Sequence, residues 1–96
     1  MRRVIHYSWD EAKRTATLAE RLLDFRDAWR VYEAPFKVTF KSDRNNEARY
    51  LDLAEIEGRL FALVYTEEKR TVRIISFRKA RHPKETRIYE QEKNNL

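Results

Sequence analysis

The segment YLDLAEIEGRLFALVYT, residues 50–66, decides the fold of this chain. Tyr50 to Ile56 and Leu60 to Thr66 are runs of strand-forming length, rich in aliphatic and aromatic side chains, and Glu57-Gly58 lies between them. Gly58 is the only glycine in the protein. It stands where a tight hairpin turn needs the positive φ that strains other residues. A β-hairpin is therefore expected here.

The pattern extends in both directions. Downstream, Glu67-Glu68-Lys69-Arg70 connects to a last strand, Thr71 to Phe77. Pro83 then suits the first turn of a closing helix that carries Ile88 and Tyr89 and frays from Lys93. Upstream, Phe36, Val38 and Phe40 form one side of a strand, and Ser42-Asp43-Arg44-Asn45-Asn46 reads as a loop. Pro35 disfavours helical geometry in the residue before it, so a short helix capped by Asp24 and carrying Phe25, Ala28, Trp29 and Tyr32 ends near Ala34. Ahead of it, Ser8-Trp9-Asp10-Glu11 has the form of a capping box, with Ser8 accepting from the Glu11 amide and Glu11 reaching back to Ser8. Trp9, Ala12, Ala16, Ala19 and Leu23 recur at helical spacing, which predicts a buried apolar stripe with Lys13, Arg14 and Glu20 outside. Val4 to Tyr7 reads as a first strand. The fold class expected is α+β: a small antiparallel sheet of about four strands with two N-terminal helices and a C-terminal helix. Such an arrangement leaves one sheet face, or a groove at its edge, open to a ligand.

Ninety-six residues with a 42% hydrophobic fraction suit one domain, residues 1–96, with one core. The longest apolar run, residues 59–65, is far too short to span a bilayer. Arg2 and Arg3 imitate the start of an export signal, but the chain turns polar at Ser8 before an apolar region develops, so a soluble, cytoplasmic protein is expected. No cysteine is present, which excludes thiol catalysis and disulfides, and two histidines are too few for a histidine-rich metal site; neither metal nor cofactor is expected. The net charge is +5. Its distribution is more telling: Lys69, Arg70, Arg73, Arg78, Lys79, Arg81, Lys84 and Arg87 are opposed within their span only by Glu85. A cluster of this kind suits a phosphate backbone, although a solvated basic face has the same composition.

Several segments together resemble the BrnT family of toxins. Ile5-His6-Tyr7-Ser8-Trp9-Asp10-Glu11-Ala12-Lys13 is similar to the family's opening, in which an aromatic strand runs into a Trp-Asp-x-x-Lys helix start. Phe25-Arg26-Asp27-Ala28, Arg49-Tyr50 and Gly58-Arg59-Leu60 resemble its second helix, a strand start and a turn. Arg73-Ile74-Ile75-Ser76-Phe77-Arg78-Lys79-Ala80, followed by Glu85 and Tyr89, resembles its most specific segment. One departure stands out: Glu20-Arg21-Leu22 occupies the place of the family's Lys-His-Gly, which removes an imidazole and a helix-ending glycine together. The resemblance implies a RelE-like ribonuclease fold and an RNA substrate. It also implies a ribbon-helix-helix antitoxin (BrnA-like) in a hetero-oligomer that contacts DNA only through the antitoxin, with no role for a membrane.

RNA cleavage without metal uses the 2′-hydroxyl of one nucleotide to attack the adjacent phosphate, so the enzyme must stabilise phosphate charge and move two protons. Arginine meets the first need, because its planar fork pairs with phosphate oxygens. Arg78 is the first choice, followed by Arg73 and Arg49; Lys79, Arg81 and Arg21 are added as RNA-binding residues. Each could instead form a surface ion pair. Glu47, Glu85 and Tyr89 are the acid–base candidates. His6 is of the right residue type but belongs to a strand expected to be partly buried. Glu57, Glu67 and Glu68 read as solvated turn residues, and Trp9, Trp29, Phe25 and Tyr32 as core. Tyr50 and Tyr65 could cover the sheet or stack on a base. Two other readings compete: a catalytically inactive module that binds a ribbon-helix-helix partner, and a basic RNA-binding domain, against which the absence of RRM and KH motifs counts.

Overall fold

Three tight turns crease the C-terminal two-thirds of the chain into a meander, and each contains residues in the left-handed region: Asn45 and Asn46, Glu57 and Gly58, and Lys69. The computed structural model describes residues 4–96, arranged as β1 (His6–Ser8), α1 (Glu11–Arg21), a 3₁₀ turn (Phe25–Asp27), α2 (Trp29–Tyr32), β2 (Val38–Arg44), β3 (Glu47–Ile56), β4 (Arg59–Glu68), β5 (Thr71–Lys79) and α3 (Pro83–Asn94). Met1, Arg2 and Arg3, and with them the start of the export-signal imitation, lie outside the described residues.

The class is α+β, but the sheet has five strands in the order β1-β5-β4-β3-β2, one more than expected. It is mixed, not antiparallel: β1 runs parallel to β5, pairing His6 with Thr71 and Ser8 with Arg73. A parallel neighbour is reached through a long crossover and leaves no turn signal in the sequence. The expected loop from Ser42 to Asn46 contracts to Asn45-Asn46, because Ser42, Asp43 and Arg44 continue β2 in register with Arg49, Ala48 and Glu47. The expected second helix is a 3₁₀ turn followed by a single α-turn. Asp24 does cap the former, accepting from the Arg26 amide at 2.9 Å.

Helix α1 also departs from expectation. Ser8 is committed to β1, so Asp10 is the N-cap and accepts from the Lys13 amide at 3.1 Å. The alanine stripe of Ala12, Ala16 and Ala19 faces solvent, whereas Arg14 is turned inward between Glu11 and Asp24. The reason is competition for the sheet. Phe25, Ala28 and Val31 fill its face against Ala54, Leu63, Tyr65, Val72, Ile74 and Phe77, which leaves α1 on the flank. Leu22 ends α1 in the left-handed conformation, φ 57°, and is 83% exposed.

On the opposite face the packing is smaller. Tyr89 of α3 and Phe36 cover Leu53 and Ala62, and only that end of the face is closed. The core also contains a fully buried carboxylate, Asp52. It accepts from Lys37 Nζ at 2.8 Å, Thr39 Oγ1 at 2.7 Å and Tyr65 OH at 3.1 Å. Buried charge is tolerated only when satisfied in this way.

Candidate nucleic-acid interface

Strand registers arrange the open sheet face into transverse rows. Ser42 opposes Arg49, Thr66 opposes Arg73, and Arg73 is paired with Ser8. Tyr50 opposes Tyr65, so Arg49 and Thr66 fall side by side in the same register. The result is a continuous row, Ser42–Arg49–Thr66–Arg73–Ser8, projecting from one face. Only one strand separates the two arginines, so their Cα atoms are about 10 Å apart and their long side chains can converge on one ligand. The next row outward follows the same registers: Arg44 opposes Glu47, Glu68 opposes Thr71, and Thr71 pairs with His6. Phosphate-binding groups are thus flanked by carboxylates and an imidazole. Between the two rows lies a hollow of about 410 Å³ lined by Ser8, Glu47, Thr66, Glu68, Lys69, Thr71 and Arg73.

Arg49 has an unusual environment. Its Nε is buried and has no hydrogen-bond partner, and the nearest carboxylate oxygen, on Glu47, is 3.9 Å away. A buried N–H left unpaired costs about 1–3 kcal/mol. Arg73 is exposed, and no ion pair engages it among the described residues.

The other expected catalytic residues stand elsewhere. Arg78 lies further along β5, opposite Ala62. Its guanidinium grips Glu85 with two hydrogen bonds of 3.0 and 2.8 Å, and the two side chains are only 19% and 15% exposed. This fork is the bidentate geometry that arginine prefers. It holds the Glu85 carboxyl below its usual range and keeps Arg78 charged. Glu85 also accepts from the Arg81 amide at 3.4 Å, so the pair pins the first turn of α3 to the sheet. Tyr89 is 3% exposed in the core beneath α3. Burial, then the nearby Glu55 carboxylate, pushes its phenol up, so it keeps its proton.

Lys79 and Arg21 come together in a third place, a cleft of about 580 Å³ on the side of α1 that also holds Arg59 and Asp24, Asp27 and Glu57. This cleft is larger and, with Arg30, sets four cations against three carboxylates, but none of its lining residues belongs to the arginine row. Arg81 is exposed beside the Arg78–Glu85 pair. Arg21, at the place of the family's histidine, is therefore remote from the arginine row. His6, expected to be partly buried, is exposed at the edge of the open face.

Ser8 and Thr66 were not singled out from the sequence as site residues, and Lys69 was named only as part of the basic cluster. Ser8 and Thr66 are unremarkable in their own strands, and only the register brings them beside Arg49 and Arg73. Among the described residues no cluster of three or more His, Asp or Glu side chains is placed to hold a metal ion, and no helix is long and apolar enough to cross a membrane. In comparisons with known proteins, a family model described as ribonuclease toxin, BrnT, of type II toxin-antitoxin system matches residues 9–85. No curated protein matches the chain.

Proposed function

This chain belongs to the BrnT family of ribonuclease toxins of type II toxin–antitoxin systems, and from that premise we propose that it cleaves RNA on the open sheet face, with Arg49 and Arg73 holding the scissile phosphate. The observation that carries this reading is the row that sets Arg49 and Arg73 on one face on either side of Thr66, with the Nε of Arg49 buried and unpartnered.

The chemistry follows from the arrangement. Two guanidinium groups converging from β3 and β5 stabilise the extra negative charge that develops when a 2′-hydroxyl attacks the adjacent phosphorus. Glu47, beside Arg49, is the group placed to take the 2′-hydroxyl proton. His6 and Lys69, on the far side of the same two rows, are the donors available to the departing 5′-oxygen. Arg78 and Glu85 serve by holding α3 on the sheet, and Tyr89 by packing beneath it. The reaction needs no metal and leaves a 2′,3′-cyclic phosphate.

We take residues 1–96 as one toxin domain of RelE-like fold acting on RNA in the cytoplasm and stopping translation. Its antitoxin is a ribbon-helix-helix protein, through which alone the complex reaches DNA. A segment of that partner laid over the arginine row blocks RNA directly. Partner-free protein incubated with labelled RNA in excess EDTA is expected to give fragments with 2′,3′-cyclic or 3′-phosphate ends. Cleavage only after a divalent metal is restored, or 5′-phosphate ends, would contradict the proposed mechanism.

A further inference from the structure

A third row on the open face is apolar, and it lies next to the arginines. Phe40 opposes Leu51, and Leu51 opposes Val64. These side chains form one line across β2, β3 and β4, two residues along each strand from Ser42, Arg49 and Thr66. That offset is about 7 Å, the scale of one nucleotide. Helix α3 covers the row beyond, with Val38, Leu53 and Ala62 beneath it; Leu51 packs against the edge of that cluster, and Phe40 and Val64 do not belong to it. Phe40 is 40% exposed.

The hollow over this row has a volume of about 340 Å³. Its floor is Phe40, Leu51 and Val64, and Arg44 and Arg49 project beside it from the same face. No carboxylate lines it. The cleft beside α1, by contrast, mixes both signs. An apolar floor with an aromatic ring, flanked by arginines without a carboxylate and continuous with a phosphate-holding row, matches the two faces of a nucleotide: a flat base and an anionic backbone.

Resting on the reading that Arg49 and Arg73 hold the scissile phosphate, we propose that this hollow is a base-binding subsite. In it, Phe40 stacks on an unpaired base of single-stranded RNA flanking that phosphate. The backbone then runs along the strand direction from the apolar row to the arginine row, and Arg49 lines the hollow as well as standing in the arginine row. An RNA held in duplex keeps its bases stacked and cannot enter, so the subsite selects unpaired segments. Stacking is tolerant of base identity, so sequence preference at this position is weak.

The test uses the full chain without its antitoxin and a labelled single-stranded oligoribonucleotide with one mapped cleavage site. It also uses the same oligonucleotide made abasic at each neighbouring position. Phe40→Ala is expected to lower kcat/KM by about ten- to a hundred-fold with an unchanged thermal midpoint, and Phe40→Trp to restore it. An abasic nucleotide at one flanking position should cost the wild-type protein a similar factor and cost Phe40→Ala nothing more, because both remove the same contact. Undiminished cleavage by Phe40→Ala, or losses that multiply at every abasic position, would overturn the subsite. So would a Phe40→Ala protein that cleaves normally but no longer binds the antitoxin, since the hollow would then be a protein-binding surface. Arg49→Ala separates the two levels of the reading. If it abolishes cleavage while Phe40→Ala does not, only the subsite fails; if neither changes cleavage, the arginine row fails and the subsite with it.

Discussion

Replacing Arg78 by alanine is expected to weaken the fold and to spare the chemistry. The guanidinium makes two hydrogen bonds to Glu85, 3.0 and 2.8 Å, with both side chains largely shielded from water. An exposed pair of this kind contributes up to about 1 kcal/mol. Removing one partner of a fully buried pair costs about 3–5 kcal/mol. The partial burial here places Arg78→Ala near 2 kcal/mol, which in a protein of this size lowers the thermal midpoint by roughly 8–16 °C. Glu85→Gln should cost a comparable amount, and the double variant little more than either, giving a coupling energy of about 1–2 kcal/mol. Thermal unfolding followed by circular dichroism measures all three. The pair also has a pH signature. Glu85 is held below its usual range in the folded protein, so its stabilisation is present above the unfolded carboxyl pKa and is lost as the pH falls through the folded one. Ribonuclease activity per folded molecule, assayed well below the lowered midpoint, should stay within a few-fold of wild type. An unchanged midpoint together with lost cleavage would refute this reasoning and return Arg78 to the substrate.

Other expectations follow from particular residues. Leu22→Gly should raise stability by about 1 kcal/mol, because the left-handed conformation is strained for leucine and the exposed side chain gives up no packing; a lower thermal midpoint would show that Leu22 makes contacts unaccounted for. Asp52→Ala should cost about 3–5 kcal/mol in urea denaturation, since it strands Lys37 against a core that no longer neutralises it. Asp24, hydrogen-bonded chiefly by Arg26, has its carboxyl held down to about 2. Its contribution is therefore complete above the unfolded pKa and disappears as the pH drops toward 2, and Asp24→Asn should flatten acid unfolding across that window.

The legibility of this fold in its sequence was uneven, for physical reasons. The Glu57-Gly58 turn was readable because a glycine between two strand-like runs leaves few alternatives, and β5 because its residues alternate cleanly up to the bulge where Val64 meets Ser76 and Tyr65 meets Ile74. The parallel partnership of β1 with β5 was not readable, because nothing near His6 in the sequence refers to Thr71. Helix α1 was placed correctly but turned the wrong way: an alanine stripe signals an apolar face without saying whether a neighbour is free to cover it. The candidate site was partly legible. Arg49, Arg73 and Glu47 were singled out from family resemblance and charge, and the register brings them to one face. Arg78 and Glu85 were singled out on the same grounds and are joined to each other, a relation that depends on how the chain reverses between Lys79 and Pro83. Thr66 and Ser8 could not be found, because a row takes one residue from each of five strands and no window of sequence contains it.

The account's central claim is that Arg49 and Arg73 act together on one phosphate. The most direct measurement is the single-turnover cleavage rate of a labelled RNA by Arg49→Ala, Arg73→Ala and the double variant, each confirmed folded by its thermal midpoint. The account expects each single variant to lose cleavage by on the order of a hundred-fold or more, and the double variant to fall well short of the product of the two losses. Wild-type rates in both single variants would contradict it.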